Sequence, residues 1–291
     1  MLPLLFLYGS LINDVRSLIG AHNLPAAEQK VRTAGATPEA AAALSWLARA
    51  ELADKHYSRA DQFAAETRQM ADSLLRTRKL DADPYLPTAV GAAIEVHAQA
   101  LAAQGQRAEA IPYLRQQLKL FAGTSLTERI RKNINLLGIE GKPAPPLEET
   151  AWLGPQPSAL ASLRGRAVLL FFWAHWCVDC KGEVKTLADL QRKFGPRLAI
   201  IGPTKLYGYV AGGNDAPPAL EKPYIDQVRR EFYAVLSGMP VPLGAANFLT
   251  YGASTTPTLV LIDPAGIVRY YHPGAASEAD LSAHIDAVLK K

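Results

Sequence analysis

The sequence predicts a chain of two parts: an all-α N-terminal half built of helical hairpins, and an α/β C-terminal half organised on a central mixed sheet. Three observations carry this. From Asn13 to Leu137 alanine is abundant and apolar residues recur at spacings of three and four, the period of packed helices. Gly141-Lys142-Pro143-Ala144-Pro145-Pro146 then interrupts helix and central strand alike. Beyond it, short apolar runs alternate with amphipathic ones, the pattern of strands interleaved with helices.

At 291 residues the chain has room for two domains of ordinary size. Its 49% hydrophobic and 20% charged residues place it among globular proteins. The net charge of +4 is small and the basic residues are dispersed, so no block of Lys and Arg suggests nucleic acid as a partner. The two cysteines, Cys177 and Cys180, lie in one motif with none left over. That excludes a disulfide framework and a zinc site made of four cysteines, and leaves redox chemistry or a pair of buried thiols.

Residues 1–22 have two readings. Leu2 to Tyr8 is strongly apolar, like the core of a secretory signal or anchor whose first residues precede this sequence. However, no positive region comes before it and no small-residue cleavage site follows. It is also too short to span a bilayer as it stands. The second reading is the buried start of the first helix.

Residues 23–140 are expected to form the helical domain. Thr37-Pro38-Glu39 is a helix start, with Thr37 as N-cap and Pro38 at the first helical position. Asp81-Ala82-Asp83-Pro84 breaks the pattern. On either side of this break Leu44, Leu47, Ala48, Ala60 and Ala64 align at a fixed offset with Ile94, His97, Ala98, Ala110 and Leu114. In each copy small residues of two helices can face one another across a short turn, Asp54 to Tyr57 and then Gln104 to Arg107. This packing logic, and the segment Ala103 to Ile111, resemble tetratricopeptide helical hairpins, at an offset longer than the usual repeat. His97 is expected to be a packed helix residue.

Residues 141–146 are read as a linker and 147–291 as the second domain. Ala167 to Trp173 is a strand, Asp179 to Lys193 a helix, and Leu198 to Gly202 a second strand parallel to the first. A long polar stretch from Thr204 to Pro223 is expected to be a surface loop, with Tyr207 and Tyr209 as a substrate lid in the alternative reading. Tyr224 to Leu236 is helical. Thr258 to Ile262 and Ile267 to Tyr271 are strands joined by the turn signal Asp263-Pro264-Ala265-Gly266. Glu278 to Leu289 is the last helix.

The chemistry lies where the first of these strands gives way to a helix. A strand that ends in Cys-x-x-Cys and opens a helix is the sequence form of a redox dithiol. There the first sulfur sits against unpaired backbone N–H groups and the helix dipole, which stabilise a thiolate, and the second is one turn on. Thr256-Pro257, just before a strand, is a candidate cis peptide that brings the Thr256 backbone toward the dithiol.

From Gly141 to Lys291 the chain resembles the extracytoplasmic thioredoxin-like thiol-disulfide oxidoreductases of bacteria, the TlpA/ResA group. The residues that carry the resemblance are Gly141 to Pro145, Leu163 to Leu170, Phe172 to Cys177, Cys180 to Glu183, and Thr256-Pro257-Thr258 through Gly266. It implies a thioredoxin-like domain that exchanges a dithiol for a disulfide with protein substrates and an unidentified redox partner protein, outside the cytoplasm. Anchoring through a longer N-terminus is compatible with it. The resemblance implies no cofactor beyond the redox-active pair and no metal. Cys177 would be the attacking thiolate and Cys180 the resolving thiol. Trp176 would shield the sulfurs and contact substrate, Thr256 and Pro257 would align it, and Glu183 would accept the Cys180 proton if burial raises its pKa.

Three departures qualify the likeness. Asp179 stands where many relatives have proline, and with Val178 it forms the tuning pair between the cysteines; a carboxylate there opposes a thiolate at Cys177. Phe171 replaces the buried aspartate of thioredoxins proper, and Lys185 replaces a helix-kinking proline. Ala174 stands where a peroxiredoxin has threonine, which disfavours that activity. His175 invites a metal-ligand reading, but copper chaperones on a related fold use wider cysteine spacing, so a solvated loop histidine is expected. The reading is an enzyme whose helical half recruits a protein partner. The alternative is a helical-repeat scaffold that carries a redox-inactive thioredoxin-like domain.

Overall fold

The computed structural model describes residues 10–290. The apolar run Leu2 to Tyr8 lies outside them. The chain divides into two compact units, 1–133 and 134–291.

The first unit is helical: α1 (Leu11–Gly20), α2 (Leu24–Thr33), α3 (Pro38–Ala53), α4 (Tyr57–Leu75), α5 (Leu86–Ala103), α6 (Arg107–Leu120) and α7 (Leu126–Gly138), the last crossing the division. The Thr37 hydroxyl accepts the Ala40 N–H at 3.1 Å, and Pro38 opens α3. Ahead of α5, Asp83 Oδ1 accepts the N–H groups of Tyr85 and Leu86. Ala40 to Ala43 are all buried, and without bulky side chains neighbouring helices can approach α3 closely. The aligned positions of α3/α4 and α5/α6 are buried in both hairpins, except His97. Its imidazole is one-third exposed, bonded to Asp61 at 2.5 Å and edge-on to Tyr113. Val15 of α1 is buried with Ala27, Val31 and Leu44.

In the second unit β2 (Ala167–Phe172) is central in a sheet of order β3-β2-β5-β6, with β3 (Leu198–Ile201), β5 (Thr258–Ile262) and β6 (Val268–Pro273). β3 runs parallel to β2; β5 and β6 are antiparallel to their neighbours. Every residue of β2 is buried, and the period of two sends Leu169 and Phe171 into one core and Val168, Leu170 and Phe172 into the other. The first core is closed by α9 (Val184–Phe194), α10 (Pro218–Phe232) and α12 (Glu278–Leu289), the second by α11 (Ala245–Tyr251). A small antiparallel pair, β1 (Trp152–Leu153) with β4 (Val241–Pro242), completes the sheets.

Several boundaries differ from expectation. The 141–146 stretch is not a free linker: Gly141 and Ala144 donate N–H to Val268 and Gly266, and Lys142 accepts from Val268. Its prolines lack donors, but the residues between them can pair with an edge strand. The division falls at 133/134 and not at 140/141, because Asn135 donates to Tyr251 O and the Tyr251 hydroxyl donates to Pro145 O. The helix after the cysteines is two helices, α8 (Val178–Gly182) and α9, which meet at Glu183 although no proline stands there. α10 starts six residues before the expected Tyr224, because Pro218 suits a first helical position and Pro223 is tolerated inside.

Candidate active site

The end of β2 is fixed to the end of β3. The Trp173 indole N–H donates to Gly202 O at 2.9 Å, and its backbone N–H donates to Pro203 O. The Thr204 hydroxyl donates to Trp173 O at 2.8 Å. A tight turn follows, closed by the Cys177 N–H on Ala174 O. Cys177 is thereby the N-cap of α8, and its Sγ accepts the Cys180 N–H at 3.0 Å. A sulfur held by a helix-start amide is where negative charge is stabilised, which lowers a thiol pKa.

Cys177 and Cys180 form a disulfide with Cα atoms 5.3 Å apart, and both residues are buried. Trp176 and Val178, on either side of Cys177, are 47% and 78% exposed and make an apolar rim. Asp179 is exposed.

Glu183, at the break between α8 and α9, is only 4% exposed. Its Oε1 accepts the Ala276 N–H at 2.7 Å, and its Oε2 is buried with no hydrogen-bond partner among the described residues. Burial raises the Glu183 pKa above the ordinary carboxylate value; the Ala276 N–H and His272 oppose the rise, and Asp179 adds to it.

The Thr256–Pro257 peptide is cis. Phe172 pairs with Thr258 across β2 and β5, so the loop that ends in Pro257 lies at the same end of the sheet as the turn into Cys177. That loop is held from β6 by the Gly274 N–H on Pro257 O.

His175 is not a solvated loop histidine. It is 2% exposed, with Tyr207, Tyr209 and Tyr224 edge-on around it and Glu221 Oε1 3.6 Å from its Nε2. Burial pushes its pKa down; Glu221 pulls it up and Lys181 pushes it further down. The polar stretch is therefore no ordinary surface loop, since it folds over the turn before the dithiol. Glu221 falls in the stretch expected to be loop, ahead of the helix expected from Tyr224, and α10 takes it in. The Pro217-Pro218 start would have placed Glu221 in a first turn. Among the described residues no cluster of His, Cys, Asp and Glu could hold a metal ion.

Comparison with known proteins agrees with this geometry. Residues 141–202 match the AhpC/TSA family. Thioredoxin-like protein YneN of Bacillus subtilis is 26% identical over 149 residues, which are 50% of this chain and 79% of that protein. Thiol:disulfide interchange protein DsbE of Xylella fastidiosa is 31% identical over 139 residues, 47% of this chain and 63% of that one. Thiol-disulfide oxidoreductase ResA of Bacillus anthracis is 26% identical over 148 residues, 51% of this chain and 78% of that one. Among solved structures, the thioredoxin-like superfamily protein SPOA0173 is 25% identical and covers 51% of this chain and 97% of its own, with a TM-score of 0.41. The C-terminal unit of this chain is a thioredoxin-like domain, and the proteins its sequence resembles are thiol-disulfide oxidoreductases and interchange proteins.

Proposed function

We propose that the chain exchanges its Cys177–Cys180 pair with disulfides of protein substrates. The observation that carries this is the placement of Cys177: its sulfur caps α8 by accepting the Cys180 N–H, between two exposed apolar side chains. In the reducing direction the Cys177 thiolate attacks one sulfur of a substrate disulfide, forms a mixed disulfide and releases the other substrate sulfur as a thiolate. Cys180 then loses its proton and attacks Cys177 Sγ. The internal disulfide forms, the second substrate thiolate leaves, and two electrons have passed to the substrate. The oxidising direction is the same sequence reversed.

Glu183 is assigned the proton of Cys180: burial raises its pKa above the ordinary carboxylate value, which makes it a better proton acceptor than an exposed carboxylate. Trp176 is assigned to substrate contact, and Thr256 and Pro257 to substrate alignment, from their place at the same end of the sheet. Val178 and Asp179 tune the pair. The resemblance of the C-terminal half also supports a location outside the cytoplasm, where a disulfide persists. Among the described residues no helix is long and apolar enough to cross a membrane. The helical unit is assigned a protein partner.

The test is redox titration of the full chain in glutathione buffers, read by alkylation and mass. The expected result is one reversible two-electron transition, lost in Cys177→Ala. Thiols that stay unreactive in the folded chain at every buffer ratio would overturn the reading.

A further inference from the structure

Beside the dithiol turn lies a group of side chains that the exchange chemistry does not use. Glu221 is fully buried in the first turn of α10, where unpaired helix N–H groups favour a carboxylate. Its Oε1 accepts the Tyr207 N–H at 2.5 Å and its Oε2 the Gly208 N–H at 2.8 Å. Two successive amides aimed at one carboxylate need an unusual backbone, and Gly208 supplies it at φ +86°. His175 stands against the same carboxylate, with its Nε2 3.6 Å away.

The held loop carries Tyr207. That ring meets Trp176 edge-on, centroids 5.6 Å apart at 81°, and its hydroxyl lies 3.5 Å from Trp173 O. Trp176 is the half-exposed indole immediately before Cys177. A continuous set of contacts therefore runs from the buried Glu221, through two backbone amides, to the side chain that backs Trp176.

We infer that Glu221 is a positioning residue for substrate recognition: by holding the backbone at 207–208 it seats Tyr207 against Trp176, and so sets the apolar surface beside Cys177. Exposed Trp176 and Val178 suit that surface to an extended polypeptide with an apolar side chain next to its cysteine. The inference rests on the exchange reading and deepens it. A small disulfide touches only the sulfurs and does not need that surface, whereas a peptide disulfide does.

The test compares the full reduced chain with Glu221→Gln, Tyr207→Ala and Tyr207→Phe. Each is mixed with a peptide disulfide flanked by leucine and, separately, with hydroxyethyl disulfide. Gln presents an NH₂ group to an amide that needs an acceptor, so it breaks one of the two bonds. The peptide rate, taken relative to the small-disulfide rate, is expected to fall by roughly tenfold in Glu221→Gln and Tyr207→Ala, the size of a modest misplacement. Tyr207→Phe keeps the ring and is expected to keep the ratio. Tyr207 lies on a partly exposed loop, so its Ala variant gives a readout even if Glu221→Gln misfolds. An unchanged ratio in Tyr207→Ala, or an equal fall for both disulfides, overturns the inference alone. A wild-type chain that reduces neither disulfide overturns the exchange reading, and this inference with it.

Discussion

Glu183 accepts the backbone N–H of Ala276 at 2.7 Å, which ties the break between α8 and α9 to the loop after β6. Its second oxygen is buried without a hydrogen-bond partner among the described residues, and burial raises its pKa above 4.5. The folded chain therefore holds this proton more tightly than the unfolded chain. The contribution to stability is present below about 4.5 and is lost as pH rises through the folded pKa. Glu183→Gln keeps an oxygen for Ala276 and removes the charge. It is expected to need more denaturant to unfold than wild type at neutral pH and to match it in acid. It is also expected to slow the resolving step by about tenfold, a small general-base effect. Chemical denaturation at two pH values and stopped-flow exchange check both.

Asp179 stands two residues after Cys177, in the first turn of α8. The helix start favours the thiolate and the carboxylate opposes it. Asp179→Pro is expected to lower the Cys177 pKa, read by thiolate absorbance against pH in the reduced chain. Asp179 is exposed, so the shift should shrink in high salt. An equal or higher pKa in the variant contradicts this account.

His175 gives a pH dependence of the opposite sign from Glu183. Burial among Tyr207, Tyr209 and Tyr224 holds it neutral against Glu221, and Lys181 adds to the effect. Its folded pKa lies below 6.5, so its contribution is fully present above that value and is lost as pH falls through the folded pKa. His175→Phe is expected to flatten the loss of stability on acidification from pH 6.5 downward. Denaturation midpoints of both proteins across that range give the measurement.

Thr204 holds the exit of β2 through its hydroxyl on Trp173 O, with both residues fully buried. Thr204→Val keeps the shape and removes the donor. It is expected to destabilise the C-terminal unit by about 1–2 kcal/mol, measured by denaturant unfolding.

The parts of this site that could be read from the sequence are those whose signal is local. The apolar run Val168 to Phe172, the cysteine spacing and Thr256-Pro257 each announce themselves within a few residues, and the register Phe172 to Thr258 brings them to one end of the sheet. Helix starts at Thr37 and Glu278 were equally local. What could not be read depends on contacts distant in sequence. His175 looks like a loop residue until the 204–221 segment folds over it. The edge pairing of Gly141 to Ala144 looks like a proline linker until β6 offers partners. Glu221 lies in the polar stretch that reads as a loop up to Pro223, whereas α10 begins at Pro218.

Cys177 is proposed as the sulfur that attacks a protein disulfide, and Cys180 as the one that releases the product. Cys180→Ala removes the release step alone. Reduced and mixed with a disulfide-bonded peptide, this variant should accumulate a covalent adduct of one chain and one peptide, mapped to Cys177 by mass and cleaved by dithiothreitol. Cys177→Ala should give none. Adduct on Cys180 in the Cys177→Ala chain at a comparable rate, or no adduct in either variant, would contradict the account.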